Sequence, residues 1–344
     1  MFQRLRYGRA VALTIALFAL AGCQKATGTD ESGQRIKIGM VTDIGGLGDR
    51  SFNDSAYDGL TRAKTKLGAS VEALESKSAA EYQPNLTALC DEEYDEIFAI
   101  GYLMASDVAL VARQNPKRSF AIVDAVVDAP NVASITFREQ DASFLAGAAA
   151  AMASKTKTIA FLGGIDIPLL RKFESGYAAG AREIDPKIHV LVKYVGSFDD
   201  VPSGKELASV LYHQGADVVY VAAGKSGLGA FDEVRAHPGD FVIGVDSNQD
   251  GIVPGQVLTS VVKRIDNAVF RTSIAVANRK PPTGHVEYGL ADGGVDVTDF
   301  KYTKAALGPA NLRRLAELRR AIVDGRILPP ATRDELARFT PVAL

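Results

Sequence analysis

Ile36-Lys-Ile-Gly-Met-Val-Thr-Asp-Ile-Gly-Gly-Leu-Gly-Asp-Arg-Ser-Phe-Asn53 is the stretch from which the fold can be read. Ile36, Ile38, Met40 and Val41 form a short apolar run with β-branched members, the pattern of a strand buried in a parallel sheet. The run stops at Asp43. Gly45, Gly46 and Gly48 follow, where the backbone can take conformations other residues avoid. Asp49, Ser51 and Asn53 are all suited to cap a helix, and Ala56 to Lys66 reads as that helix. Strand, glycine turn and helix in this order place the turn at the carboxyl end of a strand, where open α/β sheets bind ligands.

The glycines read G-G-x-G rather than G-x-G-x-x-G, and two carboxylates, Asp43 and Asp49, sit in the loop. A phosphate cradle needs bare backbone N–H groups without nearby acids, so a nucleotide phosphate is disfavoured. Asp43 suits a neutral ligand carrying donors, and Phe52 offers a flat apolar face beside it. Taken alone, a turn-capping Asp43 and a core-packed Phe52 are the simpler assignment.

Arg4, Arg6 and Arg9 precede an apolar segment, Val11 to Ala21, that is too short for a permanent membrane span. It runs into Leu20-Ala-Gly-Cys23, which resembles a bacterial lipoprotein cleavage site and implies cleavage before Cys23 and acylation of that residue. Gln24 to Gln34 reads as a flexible tether. Removing 22 of the 344 residues leaves 322, room for two domains, and loses three arginines, which moves the formal charge from −2 to −5. No basic stripe points to nucleic acid. Cys90 is then the one cysteine besides Cys23, and no Cys/His cluster has metal-ligand spacing, so neither an internal disulfide nor a metal is expected.

From Ile36 onward, strands alternate with helices. Strands are expected at 70–74, 96–101, 119–124 and 132–137, then a helix at 141–153 whose small residues, 146–151, allow close packing on a sheet. A second series follows: strands at 158–164, 189–194, 217–224, 241–246 and 258–262, with helices at 173–183, 203–214, 227–236 and 267–278. Lys280 to Gly284 reads as loop, and 309–324 and 331–339 as amphipathic helices. Asp124 and Asp246 repeat the Asp43 pattern of an apolar strand ending in an acid. One pattern built twice is most economically two doubly wound lobes facing a cleft that closes by hinge motion.

Thr42-Asp-Ile-Gly-Gly46, Asp49-Arg-Ser-Phe-Asn53, Phe120-Ala-Ile-Val-Asp124, the region from Asn131-Val-Ala-Ser134 to Leu145-Ala-Gly-Ala-Ala149, Phe173-Glu-Ser-Gly-Tyr177, Gly244-Val-Asp246 and Ser260-Val-Val-Lys263 occur in this order. From about Lys37 to about Val297 the chain thereby resembles the basic membrane protein family of substrate-binding lipoproteins, whose better understood members are purine nucleoside receptors of ABC importers. The resemblance implies an α/β protein with a type I periplasmic-binding-protein fold, two Rossmann-like lobes and three hinge crossings, near Thr136–Glu139, Ser260–Arg264 and Pro282–His285. It divides the chain into a signal peptide (1–22), the lipidated tether (23–35), lobe one (36–137 plus 263–283), lobe two (138–262 plus 284–300) and C-terminal helices packed on the lobes (301–344).

It also implies a site. Phe52 and Phe198 would stack on the base, Asp43 and Asp124 would accept hydrogen bonds from it, Asp246 would accept from ribose hydroxyls, and Lys263 would donate to the sugar. Gly224 would give a backbone contact, and Asn53 and Phe173 would line the cleft. The ligand would be adenosine, guanosine or inosine, with no cofactor. The implied partners are a permease and an ATPase, and the protein would work as a monomer, lipid-anchored on the extracytoplasmic side of the membrane. Stacking on flat bases and charge-assisted hydrogen bonds from hydroxyl and amino groups fit that chemistry, and cleft acids would repel nucleotide phosphates.

Three other readings compete. An enzyme would need a nucleophile elbow or a Ser/His/Asp set. No G-x-S-x-G occurs, and His189, His213, His237 and His285 read as structural or exposed. A sugar-binding protein of the same fold would often stack its ligand on tryptophan, and the chain has none. A lipoprotein that only senses its ligand has the same sequence signature as a transporter subunit.

Overall fold

The computed structural model describes residues 35–342. The segment expected to be a signal peptide, the tether and Cys23 lie outside the described residues. Five strands come first: β1 (Lys37–Thr42), β2 (Ser70–Leu74), β3 (Glu96–Ile100), β4 (Ser119–Val123) and β5 (Val132–Phe137). Helices α1 (Phe52–Leu67), α2 (Tyr82–Asp91) and α3 (Ala105–Gln114) connect the first four of them. After α4 (Glu139–Ala153) the pattern recurs, as β6 (Thr158–Gly163), α5 (Pro168–Ile184), β7 (His189–Tyr194), α6 (Val201–His213), β8 (Val218–Ala222), α7 (Leu228–Glu233), β9 (Phe241–Asp246) and β10 (Val257–Lys263). Then come α8 (Ile265–Ala277), β11 (Gly284–Tyr288), β12 (Val295–Val297), α9 (Lys304–Val323) and α10 (Arg333–Arg338).

Two six-stranded sheets result, in the orders β11-β5-β4-β3-β1-β2 and β12-β10-β9-β8-β6-β7. Pairing is parallel except for β12 against β10. In each sheet the order reverses beside the first strand of the series, β1 or β6, and such a switch point opens a crevice at the carboxyl ends. The central strands are buried on both faces because helices cover both, which is why they read as continuous apolar runs.

The chain leaves the first sheet at Phe137, returns at Lys263 into α8, and leaves again after β11. Glycine lets α8 lie against α1: a Cβ on Gly59 would sit 2.5 Å from the Asp266 carbonyl oxygen. The small-residue face of α4, expected to lie on a sheet, also meets a helix. Cβ atoms on Gly147 and Gly180 would come within 1.9 Å of Tyr177 O and 1.8 Å of Phe144 O, so α4 and α5 touch backbone to backbone. At the C-terminus α9 restarts at Pro309 after Gly308 (φ 75°), and Arg333 of α10 holds Glu174 of α5 with two hydrogen bonds of 2.9 and 2.6 Å.

One boundary differs from expectation. Residues 284–288 belong to the first sheet, not the second lobe: β11 pairs with β5, and Thr136 Oγ1 lies 2.7 Å from His285 Nε2. The third crossing therefore falls between Tyr288 and Val295. The strand escaped notice because it is an exposed edge. Gly284, His285, Val286 and Glu287 are all solvent-facing, so burial imposes no apolar pattern on them.

At the amino end of β3, away from the cleft, Glu96 is fully buried and neither carboxylate oxygen has a hydrogen-bond partner. Burial pushes its pKa from 4.5 up to about 8. The folded state thus holds this proton more tightly than the unfolded chain does. The associated stability is complete below about pH 4.5 and is lost as pH rises towards 8. Glu96→Gln removes the titration, so the difference in melting temperature between variant and wild type is expected to move in the variant's favour by several degrees from pH 4.5 to pH 8. A difference independent of pH would refute a neutral, buried Glu96.

Candidate functional site

The cleft lies where the carboxyl ends of the two sheets face each other. Asp43 follows β1, Asp124 follows β4, Asp246 ends β9 and Lys263 ends β10. β4 and β9 occupy the same place in their sheets, so the two acids are structural counterparts. Both have left-handed backbone, φ 71° at Asp124 and 60° at Asp246. Such a conformation is uncommon outside glycine and is tolerated best by Asp and Asn, whose short side chains can bond locally. Gly101 after β3 and Gly224 after β8 form a second pair of counterparts with positive φ.

All nine residues singled out from the sequence, Asp43, Phe52, Asn53, Asp124, Phe173, Phe198, Gly224, Asp246 and Lys263, line one cleft. Phe52 opens α1 and Phe198 lies in the β7–α6 loop. Both rings are partly exposed, whereas Phe173 is buried. The Phe198 ring packs over Gly164, where a Cβ would come within 2.3 Å of it.

At one end, Asp43 Oδ1 accepts from Gly45 N (3.0 Å) and Asn53 Nδ2 (2.8 Å). Asp49 caps α1: its carboxylate accepts from the backbone N–H groups of Ser51, Asn53 and Asp54, and from Asn53 Nδ2 at 3.1 Å. Burial raises the Asp43 pKa to about 6 despite the hydrogen bonds from Asn53 and Gly45, with Asp49 and Asp124 adding to the rise.

At the other end is a buried ammonium. Lys263 is 2% exposed and donates to Asp124 Oδ2 at 2.6 Å. Asp246 Oδ1 lies 3.6 Å and Glu139 Oε1 3.8 Å from its Nζ. The rings of Phe52, Phe137 and Phe173 surround it with centroids at 4.9, 5.5 and 5.5 Å. Burial pulls the Lys263 pKa down, but the three carboxylates more than reverse this and hold it above the usual lysine range. Burial raises Asp246 to about 6, against the pull of Lys263, and Glu139 to about 7, against Lys263 and Lys172. No group of three or more His, Cys, Asp or Glu among the described residues is arranged to hold a metal.

Four buried oxygens around this cleft have no hydrogen-bond partner: Asn53 Oδ1, Asp124 Oδ1, Asp246 Oδ1 and Glu139 Oε1. Buried polar atoms are normally satisfied, so a cluster of bare acceptors marks where donors from a ligand belong. The lobes also bond to each other across the cleft. Ser51 Oγ donates to Asp246 Oδ2 (3.0 Å), Ser247 Oγ to Ser51 O (3.0 Å) and Gln249 Nε2 to Arg50 O (3.0 Å).

Several residues of the cleft and of the charge cluster around Lys263 carry no clear sequence signal. Asp49 was noticed as an acid of the loop but not as the group that fixes Asn53. Glu139 is the first residue of α4 and carries no motif of its own. Ile167, Leu169 and Leu170 reach the cleft because α5 begins at Pro168, one turn before the expected start. Pro168 in the first helical turn was the available signal.

Residues 36–317 match the Bmp family, described as PnrA-like ABC transporter substrate-binding proteins. The chain is 35% identical to the ABC transporter nucleoside-binding protein BmpA of Lactococcus lactis, over 94% of this chain and 97% of that protein. It is 36% identical to an uncharacterised lipoprotein of Pyrococcus furiosus, over 83% of this chain and 77% of that one. The crystal structure of an ABC transporter solute-binding protein from Aeropyrum pernix superposes with a TM-score of 0.82 at 28% identity, covering 88% of this chain and 96% of the other. The architecture is the type I periplasmic-binding-protein fold, and the family binds solutes rather than transforming them. The chain belongs to the family of PnrA-like ABC transporter substrate-binding proteins.

Proposed function

We propose that this chain is the receptor of an ABC importer for purine nucleosides, held on the extracytoplasmic face of the membrane by a lipid on Cys23. The observation that carries the reading is the combination of two partly exposed phenyl rings, Phe52 and Phe198, with bare buried acceptors beside one buried ammonium. A nucleoside answers each of these. Its base is flat and stacks, and its sugar brings hydroxyl donors to Asp246 Oδ1 and also to Asp124 Oδ1, which is reassigned from the base to the sugar because it shares Lys263 with Asp246. Lys263 serves the sugar's acceptor oxygens, Gly224 gives a backbone contact, Phe173 closes the floor, and Asp43 with Asn53 faces the base. The relative named as nucleoside-binding supports this assignment. The lipid anchor is supported by Leu20-Ala-Gly-Cys23 and by the relative named as a lipoprotein. Among the described residues no helix is long and apolar enough to cross a membrane. The receptor works as a monomer and hands its ligand to a permease and an ATPase.

Calorimetric titration with adenosine, guanosine, inosine, cytidine, AMP, adenine and ribose tests the ligand class. Purine nucleosides are expected to bind tightest. Phe52→Ala and Phe198→Ala should each weaken them by about 5- to 150-fold, from roughly 1–3 kcal/mol per stacked base. Unchanged affinity in both folded variants would dispose of the stacked arrangement, and binding of ribose alone would redirect the assignment to sugars.

The sugar end makes a separate demand. A 2′- or 3′-deoxynucleoside leaves a buried carboxylate oxygen without its donor, so at least one of the two should bind on the order of 10- to 100-fold more weakly than its ribo counterpart. Equal binding of both deoxy analogues would mean that Asp124 and Asp246 do not read the diol.

A further inference from the structure

At the base-facing end of the cleft Asp43 and Asn53 present acceptors and no free donors, beside the phenol of Tyr102, and this has a consequence for which purine fits. The two amide hydrogens of Asn53 are both engaged, one by Asp43 Oδ1 at 2.8 Å and the other by Asp49 Oδ2 at 3.1 Å. The amide cannot turn over, because its oxygen would then face two carboxylates. Asn53 therefore shows its surroundings only Oδ1, which is buried and has no partner. The hydrogen on Gly45 N is likewise engaged by Asp43. Asp43 Oδ2 accepts from no donor among the described residues and faces Gly101, where a Cβ would lie 3.3 Å away. The part of the wall built by Asn53 and Asp43 thus offers an amide oxygen and a carboxylate oxygen.

We infer that this receptor discriminates within the purine nucleosides, preferring guanosine over inosine and inosine over adenosine, because Asn53 and Asp43 together offer only acceptors to the base. The inference rests on the nucleoside reading above. Guanine carries adjacent N1–H and N2–H donors on one edge, which two neighbouring acceptors can take together. Hypoxanthine carries the N1–H alone. In adenine the amino group is flanked on both sides by ring nitrogens with lone pairs, N1 and N7, so two adjacent acceptors that engage either edge together set one of them against a lone pair. Hydrogen bonds to charged acceptors are the strong ones, and an unmatched acceptor is the expensive case.

The protonation of Asp43 gives the inference a second handle. The titratable groups around it are Asp49 in its own loop, Asp124 at the end of β4 and Tyr82 on α2. Protonated Asp43 carries an O–H, which adenine N1 or N7 can accept and which guanine's N1–H and N2–H cannot use. With Asp43 titrating at about 6, the preference should shrink as pH falls through that value. Asp246 titrates in the same range but faces the ribose, which all three ligands share, so its effect cancels in the ratio of affinities.

The test is calorimetry of the full chain in detergent with guanosine, inosine and adenosine at pH 8 and pH 5.5, repeated for Asp43→Asn. At pH 8 guanosine is expected to bind on the order of 10- to 100-fold tighter than adenosine, with inosine between them. At pH 5.5 the ratio should fall several-fold. In Asp43→Asn the amide oxygen must take the Oδ1 place to accept from Gly45 and Asn53, which turns the NH₂ towards the base. That variant should lose guanosine and gain adenosine at pH 8 with little remaining pH dependence in the ratio. If Asp43→Asn does not fold, the wild-type ratio and its pH dependence still decide. Equal affinities for guanosine and adenosine at both pH values would overturn the preference while leaving the nucleoside assignment intact. Absence of binding by all three would instead overturn that assignment.

Discussion

A charged ammonium buried between two lobes is the constraint on which the rest of this molecule depends. Lys263 sits at the end of β10, where the chain returns to the first lobe, with almost no exposure. An unpaired ion there would cost several kcal/mol in lost hydration. Its counter-charges come from three places: Asp124 on the first sheet, Asp246 on the second and Glu139 at the first crossing. Compensation is complete only when both lobes present their acids together. The cluster therefore couples the charge balance of one lysine to the relative placement of two sheets. It also explains why three phenyl rings close around the ammonium, since ring faces solvate a cation without competing for the acids' remaining oxygens.

The two acids at strand ends are best understood through the repeated strand order. When the same doubly wound topology is built twice and the copies face each other, whatever follows the fourth strand of each copy is brought to the same crevice. Asp124 and Asp246 are those residues, and both adopt the same uncommon backbone conformation. The left-handed turn directs each carboxylate away from its own sheet and towards the other lobe. Gly101 and Gly224, one strand further in, serve the complementary purpose of keeping side chains out of the way. The cleft chemistry is thus a direct product of topology.

Much of this was legible from the chain. The runs ending in Asp43, Asp124 and Asp246 are visible because parallel strands buried on both faces must be continuously apolar, so that a carboxylate at the end stands out. Features that do not depend on burial were hidden. Strand β11 lies on an open edge and carries polar residues, so the third crossing was placed several residues too early. Glu139 has no signature because its importance comes from the bend after β5, which folds it back on Lys263. The role of Asp49 was also out of reach. Its effect is to fix the rotamer of Asn53 through two simultaneous hydrogen bonds, which no residue spacing can announce.

The hydrogen bonds that run between the lobes bear on time as much as on affinity. Ser51, Ser247, Gln249 and the backbone at Arg50 join the rims of the cleft, while its walls come from both sheets. These bonds hold the two lobes together around whatever lies between them. The residence time of a molecule bound to both lobes then depends on how often the rims part as well as on how fast its own contacts loosen. A second body that grips the two lobes and pries them apart would shorten that time without touching the ligand. Bonds of this kind make the spacing of the two lobes, and not the ligand contacts alone, a point at which release can be controlled.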